Sequence, residues 1–287
     1  MAHNDSRRSE PSTTGHEWDG IREYNNPLPR WWLWVFYACI VWAIGYWIAM
    51  PAWPLLDGYT KGVLGYSQRA HVAHRLAEER AAQSVYLDRI AKASLQQIRS
   101  DPELLSFALA AGRSAFAVNC SQCHGTGAQG SPGYPNLNDD DWLWGGTLDA
   151  IAFTIRNGVR NGGEGARDTQ MPAFGRDELL DANQINDVVE YVVSLSGRPV
   201  TEAAAKRGAK IFADNCAVCH GANGKGNQQL GAPDLADDIW LYGGDRKTIH
   251  ETVFGARRGV MPAWKNRLSP ETIKELAVYV HALGGGK

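Results

Sequence analysis

The sequence predicts a mainly α-helical chain: one apolar membrane helix, a charged helical linker and a small domain present twice. Three observations carry that reading. An uncharged aromatic and aliphatic run lies near the N-terminus, a charged stretch without Gly or Pro follows it, and the C-terminal part repeats itself motif for motif. The 287 residues leave room for about two domains at roughly 100–200 residues each. A net charge of -2 excludes a nucleic-acid binder, which carries a basic stripe. With 44% hydrophobic residues the chain can bury a core and is not disordered. Five cysteines are too few for a disulfide scaffold, and four of them fall in two CxxC pairs.

The apolar run is Trp31 to Met50, with no charged residue and only Gly45 outside the apolar set. At about 1.5 Å per residue it spans the ~30 Å hydrocarbon layer. Arg30 precedes it, Pro51 and Pro54 follow, and Trp31, Trp32, Trp47 and Trp53 mark its ends, where indole rings favour the lipid–water boundary. A signal peptide fits poorly, because the polar lead is long and no small-x-small cleavage site follows. Cys39 inside the run reads as packing.

From Ser67 to Ser100 there is neither Gly nor Pro and charge is plentiful, which reads as one or two exposed helices. Asp101-Pro102 predicts a helix start, with Asp as N-cap and Pro at the first helical position. Thr201-Glu202 predicts another, after a linker at Gly197-Arg198-Pro199. The chain thus divides into a lead over 1–30, a membrane helix over 31–53, a helical linker over 54–100, and two domains over 101–197 and 198–287.

The duplication sets the two domains. GRSAFAVNCSQCHG from Gly112 matches GAKIFADNCAVCHG from Gly208. Pro135-Asn136-Leu137 matches Pro233-Asp234-Leu235, Trp142-Leu143-Trp144-Gly145-Gly146 matches Trp240-Leu241-Tyr242-Gly243-Gly244, and Met171-Pro172-Ala173-Phe174 matches Met261-Pro262-Ala263-Trp264. Each copy closes on a helical pattern: Ile185, Val188, Val189 and Val192, then Ile273, Leu276, Val280 and Leu283.

Cys120-Ser121-Gln122-Cys123-His124 and Cys216-Ala217-Val218-Cys219-His220 carry the chemistry. CxxCH is the attachment pattern of c-type haem: two thiols reach the two vinyl groups of one porphyrin, and the next residue offers its imidazole to the iron. A zinc site wants compact ligands, but Cys123 and Cys216 lie 93 residues apart. A redox CxxC wants a βαβ setting, and a disulfide inside CxxC leaves the His unexplained. Two covalent haems, at Cys120/Cys123 and Cys216/Cys219, are expected, with His124 and His220 as axial ligands. Of four Met, Met1 is the first residue and Met50 ends the apolar run. Met171 and Met261 remain, one per copy and each C-terminal to its motif, as sixth ligands in their own domains. His/Met ligation fills both axial positions and suits electron transfer. His71, His74, His250 and His281 lack counterparts in register and read as surface residues. The Asp139-Asp140-Asp141 run reads as a solvated turn, with steering of a basic partner as the alternative. A duplicated cytochrome c domain resembles proteins matured outside the cytoplasm, placing residues after Trp53 in the periplasm of a bacterial inner membrane and the N-terminus inside; Arg7 and Arg8 lean the same way.

The lead Gly15-His16-Glu17-Trp18-Asp19-Gly20-Ile21, then Asn25-Asn26-Pro27-Leu28-Pro29-Arg30-Trp31-Trp32, the Pro51-Ala52-Trp53-Pro54 exit and the doubled W-L-[WY]-G-G and M-P-A-[FW] motifs resemble the dihaem CcoP or FixP subunit family of cbb3-type cytochrome c oxidases. Some members carry a second membrane helix near the N-terminus; this sequence has one. The resemblance implies two tandem class I cytochrome c domains in an electron-transfer subunit that is not itself the oxygen-reducing centre. It implies a haem–copper catalytic subunit and a monohaem cytochrome as partners, a donor cytochrome or quinol oxidoreductase, surrounding membrane lipid, and proton pumping by the complex. It also implies that Pro135 and Pro233 accept hydrogen bonds from His124 and His220 and orient them. Two other classes compete. A dihaem peroxidase needs an exchangeable axial site, whereas both copies carry a Met. A tethered carrier for a nitric oxide reductase or a dehydrogenase is disfavoured by the lead alone.

Overall fold

The computed structural model describes residues 12–286. The chain forms two compact units, one up to Ala82 and one from Gln83 onward.

The first unit opens with a hairpin. Strands β1 (Thr13–Trp18) and β2 (Ile21–Tyr24) pair antiparallel, with Trp18 opposite Ile21. Asp19 and Gly20 both have positive φ, 50° and 84°, as a two-residue primed turn requires, and Asp-Gly is its common sequence. Glu17 and Arg22 close a 2.7 Å ion pair across the strands. Helix α1 (Arg30–Ala49) follows, with no buried residue along its 20. Its length and composition suit a bilayer crossing. A short hairpin, β3 (Pro54–Leu55) with β4 (Gly58–Tyr59), succeeds it. Helix α2 (Gln68–Lys92) begins in this unit and ends in the next; its first half is lined by i,i+3 and i,i+4 pairs such as Arg75 with Glu78 and Glu79.

The second unit is helical. Helix α3 (Leu95–Ser100) starts on a Ser94/Gln97 capping box. Helix α4 (Pro102–Asn119) starts on Asp101, whose carboxylate accepts from the Glu103 and Leu104 N–H groups. Then come α5 (Ser121–His124), α6 (Leu148–Asn157), α7 (Ala182–Leu195), α8 (Glu202–Asn215), α9 (Ala217–His220), α10 (Arg246–Gly255) and α11 (Pro270–His281). The linker reading over 54–100 differs at its end: Ile90, Leu95 and Ile98 are core residues. The Lys274 ammonium donates to the Ile90, Ala91 and Ala93 carbonyls and ties the end of α2 to α11.

Two hydrophobic cores form, and they do not follow the sequence boundaries 101–197 and 198–287. Helix α4 packs on α11 and α6, while α8 packs on α7, which also meets α10. One core therefore joins Phe116, Ile151 and Ile155 to Ile273, Leu276 and Val280; the other joins Phe212, Ile249 and Val253 to Ile185, Val188 and Val192. The copies have exchanged their C-terminal segments. Two crossings in register make this plain. Gly112 of α4 lies against the Glu275 carbonyl and Tyr279 of α11, and Gly208 of α8 lies against the Asp187 carbonyl and Tyr191 of α7; a Cβ at either glycine would collide with that backbone. Phe116 meets Tyr279 at 5.6 Å, and Phe212 meets Tyr191 at 5.1 Å, both rings tilted 54°. The physical reason is equivalence. A duplicated domain offers each closing helix two near-identical grooves, so exchange keeps the native contacts. It adds a bridge where the strands cross: Val159 and Met261 exchange backbone hydrogen bonds of 3.0 and 2.9 Å.

Candidate functional site

Each motif sits on the turn that ends a long helix. The Cys120 N–H closes α4 onto the Phe116 carbonyl, and the Cys123 and His124 N–H groups then bond the Cys120 carbonyl at 3.1 and 3.0 Å. Cys216, Cys219 and His220 repeat this on Phe212 and Cys216, with the same distances. One tight turn thus carries two thiols and an imidazole. Gly125 and Gly221, at φ 81° and 76°, end it, in a conformation glycine adopts without a Cβ penalty.

The imidazoles are held from behind. His124 Nδ1 lies 2.9 Å from the Pro135 carbonyl oxygen, and His220 Nδ1 lies 3.0 Å from that of Pro233. A carbonyl only accepts, so Nδ1 carries the proton and Nε2 keeps its lone pair for a metal. Burial lowers both imidazole pKa values, partly offset by the proline carbonyls. Burial also pushes the Cys120 and Cys216 thiols up to about 11. All four motif cysteines are free. Among the described residues no three His, Cys, Asp or Glu side chains converge on a metal position.

A cavity of about 500 Å³ opens beside the second motif. Cys216, Cys219 and His220 form one wall, and Phe174, Val188, Phe212, Ile249 and Val253 supply apolar surface. The thioether on its lining is Met171, not Met261. Met171 packs against the core that holds Cys216, Leu235 and Trp240. Met261 packs against the core that holds Cys120, Leu137 and Trp142. Each Met was expected beside the motif of its own copy; the exchange of C-terminal segments instead sets each one against the core that holds the other copy's motif. The Met-Pro-Ala segments are pinned there by equivalent bonds, Phe174 N–H to Val253 O at 3.1 Å and Trp264 N–H to Ile155 O at 3.2 Å.

The donor set fits a covalently held porphyrin: two thiols, an imidazole with its outer nitrogen occupied, and a mostly apolar cavity with a thioether on its lining. Pro135 belongs to both sites, since its carbonyl holds His124 and the residue also lines the cavity of His220. Around this seam Gly133 N–H bonds the Leu241 carbonyl at 2.8 Å. Trp144 lies over Gly231 and Tyr242 over Gly133.

Sequence reasoning missed two residues. Arg167 stacks on Trp144 at 5.1 Å and donates to Thr154 Oγ1; Arg257 stacks on Tyr242 at 4.9 Å and donates to Thr252 Oγ1. Each stands four residues before its Met, so Arg-x-x-x-Met-Pro-Ala was the available signal. The aspartates are not a simple solvated turn. Burial, and then Asp237, Asp139 and Asp234 nearby, push the Asp141 carboxyl up to about 6. Neither His71 and His74 on α2 nor His250 and His281 line the cavity.

These features define a c-type cytochrome with an apolar N-terminal anchor. Residues 10–57 match the family model of the N-terminal domain of cytochrome oxidase-cbb3, FixP, and residues 107–192 and 203–280 match that of cytochrome c oxidase, cbb3-type, subunit III. The chain is 57% identical over 278 residues to the cbb3-type cytochrome c oxidase subunit FixP of Azorhizobium caulinodans, covering 96% of this chain and 94% of the relative. It is 54% identical over 279 residues to subunit CcoP of Cereibacter sphaeroides, with 97% and 96% covered. Against subunit CcoP of Azospirillum brasilense it is 51% identical over 282 residues, with 96% of each covered. The chain belongs to the FixP/CcoP family of cbb3-type cytochrome c oxidase subunits. It is a membrane-anchored electron-transfer component carrying haem c, and other oxidase subunits are its partners.

Proposed function

We propose that the chain carries two covalent haems and relays electrons from a donor cytochrome or quinol oxidoreductase toward the oxygen-reducing haem–copper subunit, beside a monohaem cytochrome subunit. Cys120 and Cys123 would tether one haem, with His124 and Met261 offering their nitrogen and sulfur to its iron. Cys216 and Cys219 would tether the other, with His220 and Met171 in the same roles. When bound, haem supplies the one-electron chemistry, and His/Met ligation raises its potential and leaves no open axial position. The protein's part is placement. The thiols fix the ring, Pro135 and Pro233 aim the imidazoles, and Phe174 and Phe212 keep water from the cleft. Pro135, common to both sites, supports direct electron passage between them.

The single observation that carries this reading is the doubled arrangement of thiols, oriented imidazole and thioether-lined core. With both sixth positions supplied, a peroxidase reading has no support. The lead and α1 anchor the chain, with the N-terminus cytoplasmic and the cytochrome part in the periplasm of the bacterial inner membrane; covalent haem attachment outside the cytoplasm supports this orientation. Exchanging residues 1–53 for an unrelated single-span anchor tests the assignment. Docking through this segment predicts two attached haems, loss of co-purification with the catalytic subunit and a fall in oxygen consumption. Normal assembly of the exchanged chain would return the subunit to a generic tethered carrier.

A further inference from the structure

The segment after α1 is folded against the end of the helix. The Val63 and Leu64 N–H groups bond the Ile48 and Ala49 carbonyls at 2.9 and 3.0 Å, satisfying acceptors that a helix C-terminus otherwise leaves open. Gly62 makes this possible: its φ is +71°, and a Cβ there would strike the Ala49 carbonyl. Trp53 packs edge-on against Trp47 at 4.8 Å. Trp53 N–H donates to Thr60 Oγ1 and Thr60 N–H to the Trp53 carbonyl. Residues 51–64 are thus a fixed knob on the helix end.

Its surface is apolar. Leu55, Leu56, Val63 and Leu64 are exposed, Leu56 fully and Val63 at 81%. Asp57 and Lys61 are the charged residues between Pro51 and Leu64. The exposed rings, Trp53 and Tyr59, combine an apolar body with a polar tip and settle at headgroup level.

We infer that residues 51–64 form a collar seated in the lipid interface, with Leu55, Leu56, Val63 and Leu64 among the acyl chains and Trp53 and Tyr59 at the headgroups. This rests on the membrane reading of α1. The occupant is lipid because the collar continues α1, a helix with no buried residue, so the lipid beside α1 meets the collar without a break. Leu55, Leu56, Val63 and Leu64, which project from it, offer no donor or acceptor to specify a protein partner. The collar fixes the depth of α1 against sliding along the bilayer normal.

Photocrosslinking in the haem-loaded full chain, assembled in its own membranes, tests this. p-Benzoylphenylalanine replaces Leu56 or Val63, with Trp42 on α1 as the bilayer control and Arg80 on α2 as the aqueous control. The expected result is a phospholipid adduct from positions 56 and 63 as from 42, lost at 80. Lipid labelling at 42 without labelling at 56 and 63, or a protein adduct from those two positions, overturns the collar. Failure at 42 overturns instead the membrane reading on which it rests.

Discussion

Replacing Glu275 with Gln tests how the two cores differ. Glu275 is buried at 4% exposure on α11, and its Oε1 has no hydrogen-bond partner. Its counterpart Asp187 on α7 sits in the same register but receives two bonds from Arg207, at 2.7 and 2.6 Å. The residue matching Arg207 on α4 is Ala111, so the first core carries the carboxyl without its cation. Lys274 next to it is committed to the carbonyls at the end of α2. Burial, with Glu271 adding like charge, pushes the Glu275 carboxyl from 4.5 to about 7. At about 1.4 kcal/mol per unit this costs the folded state on the order of 3 kcal/mol once the group ionises. The sign follows from linkage. The folded protein holds this proton more tightly than the unfolded chain, so stability is full below pH ~4.5 and falls as pH rises through about 7. Urea unfolding of the haem-loaded chain at pH 5 and pH 8 reads the effect. Glu275→Gln should remain close to the parent at pH 5 and exceed it by about 2–3 kcal/mol at pH 8. Ala111→Arg, which rebuilds the Arg207–Asp187 arrangement, should recover part of that gain. The same pH dependence in parent and Glu275→Gln would refute the assignment of a buried, unpaired carboxyl.

The exchange of C-terminal segments predicts cross-assigned ligands. In a chain carrying only the haem at Cys216 and Cys219, Met171→His should lower its potential, since Met favours the reduced iron more than His does, and Met261→His should leave it unchanged in a redox titration. Proteolytic cleavage at Gly197–Pro199 should yield fragments that co-elute on native size exclusion and separate only in denaturant, because each core takes helices from both sides of the cut. Gly208→Val should drive a side chain into the Asp187 backbone, and overpacking of this kind costs about 1–3 kcal/mol; thermal melting should fall by several degrees, with both cores lost together.

Much of this architecture was legible in residues. The run from Trp31 gave α1 to within one residue, Asp101-Pro102 marked the start of α4, and the period of Ile273, Leu276 and Val280 gave α11. The motifs located the two thiol and imidazole sets. The proline carbonyl bonds to His124 and His220 followed from the family resemblance and have their counterpart in the geometry. What stayed hidden was which copy closes onto which. Register identifies the groove that α7 or α11 fits, but two copies present the same groove, and only contacts such as Gly112 against Tyr279 distinguish them. The lead hairpin was announced by Asp19-Gly20, but Gly15 and His16 interrupt the alternation of its first strand. Ile90, Leu95 and Ile98 are too sparse among charges to mark the end of the linker as core. The collar depends on backbone bonds from Val63 and Leu64, which leave no side-chain pattern.

If this chain feeds electrons into a cbb3-type oxidase through two haems, both haems and oxidase turnover should travel with it. Affinity purification of the tagged full chain from solubilised membranes, with its haem content and oxygen consumption measured on the same sample, tests it most directly. The expected result is two covalent haems on the chain, a haem–copper subunit and a monohaem cytochrome in the same complex, and donor-driven oxygen consumption that collapses in His124→Ala or His220→Ala although the catalytic subunit is still present. A dihaem chain that purifies with a different reductase or dehydrogenase, or an oxidase whose turnover is unchanged in both His variants, would contradict it.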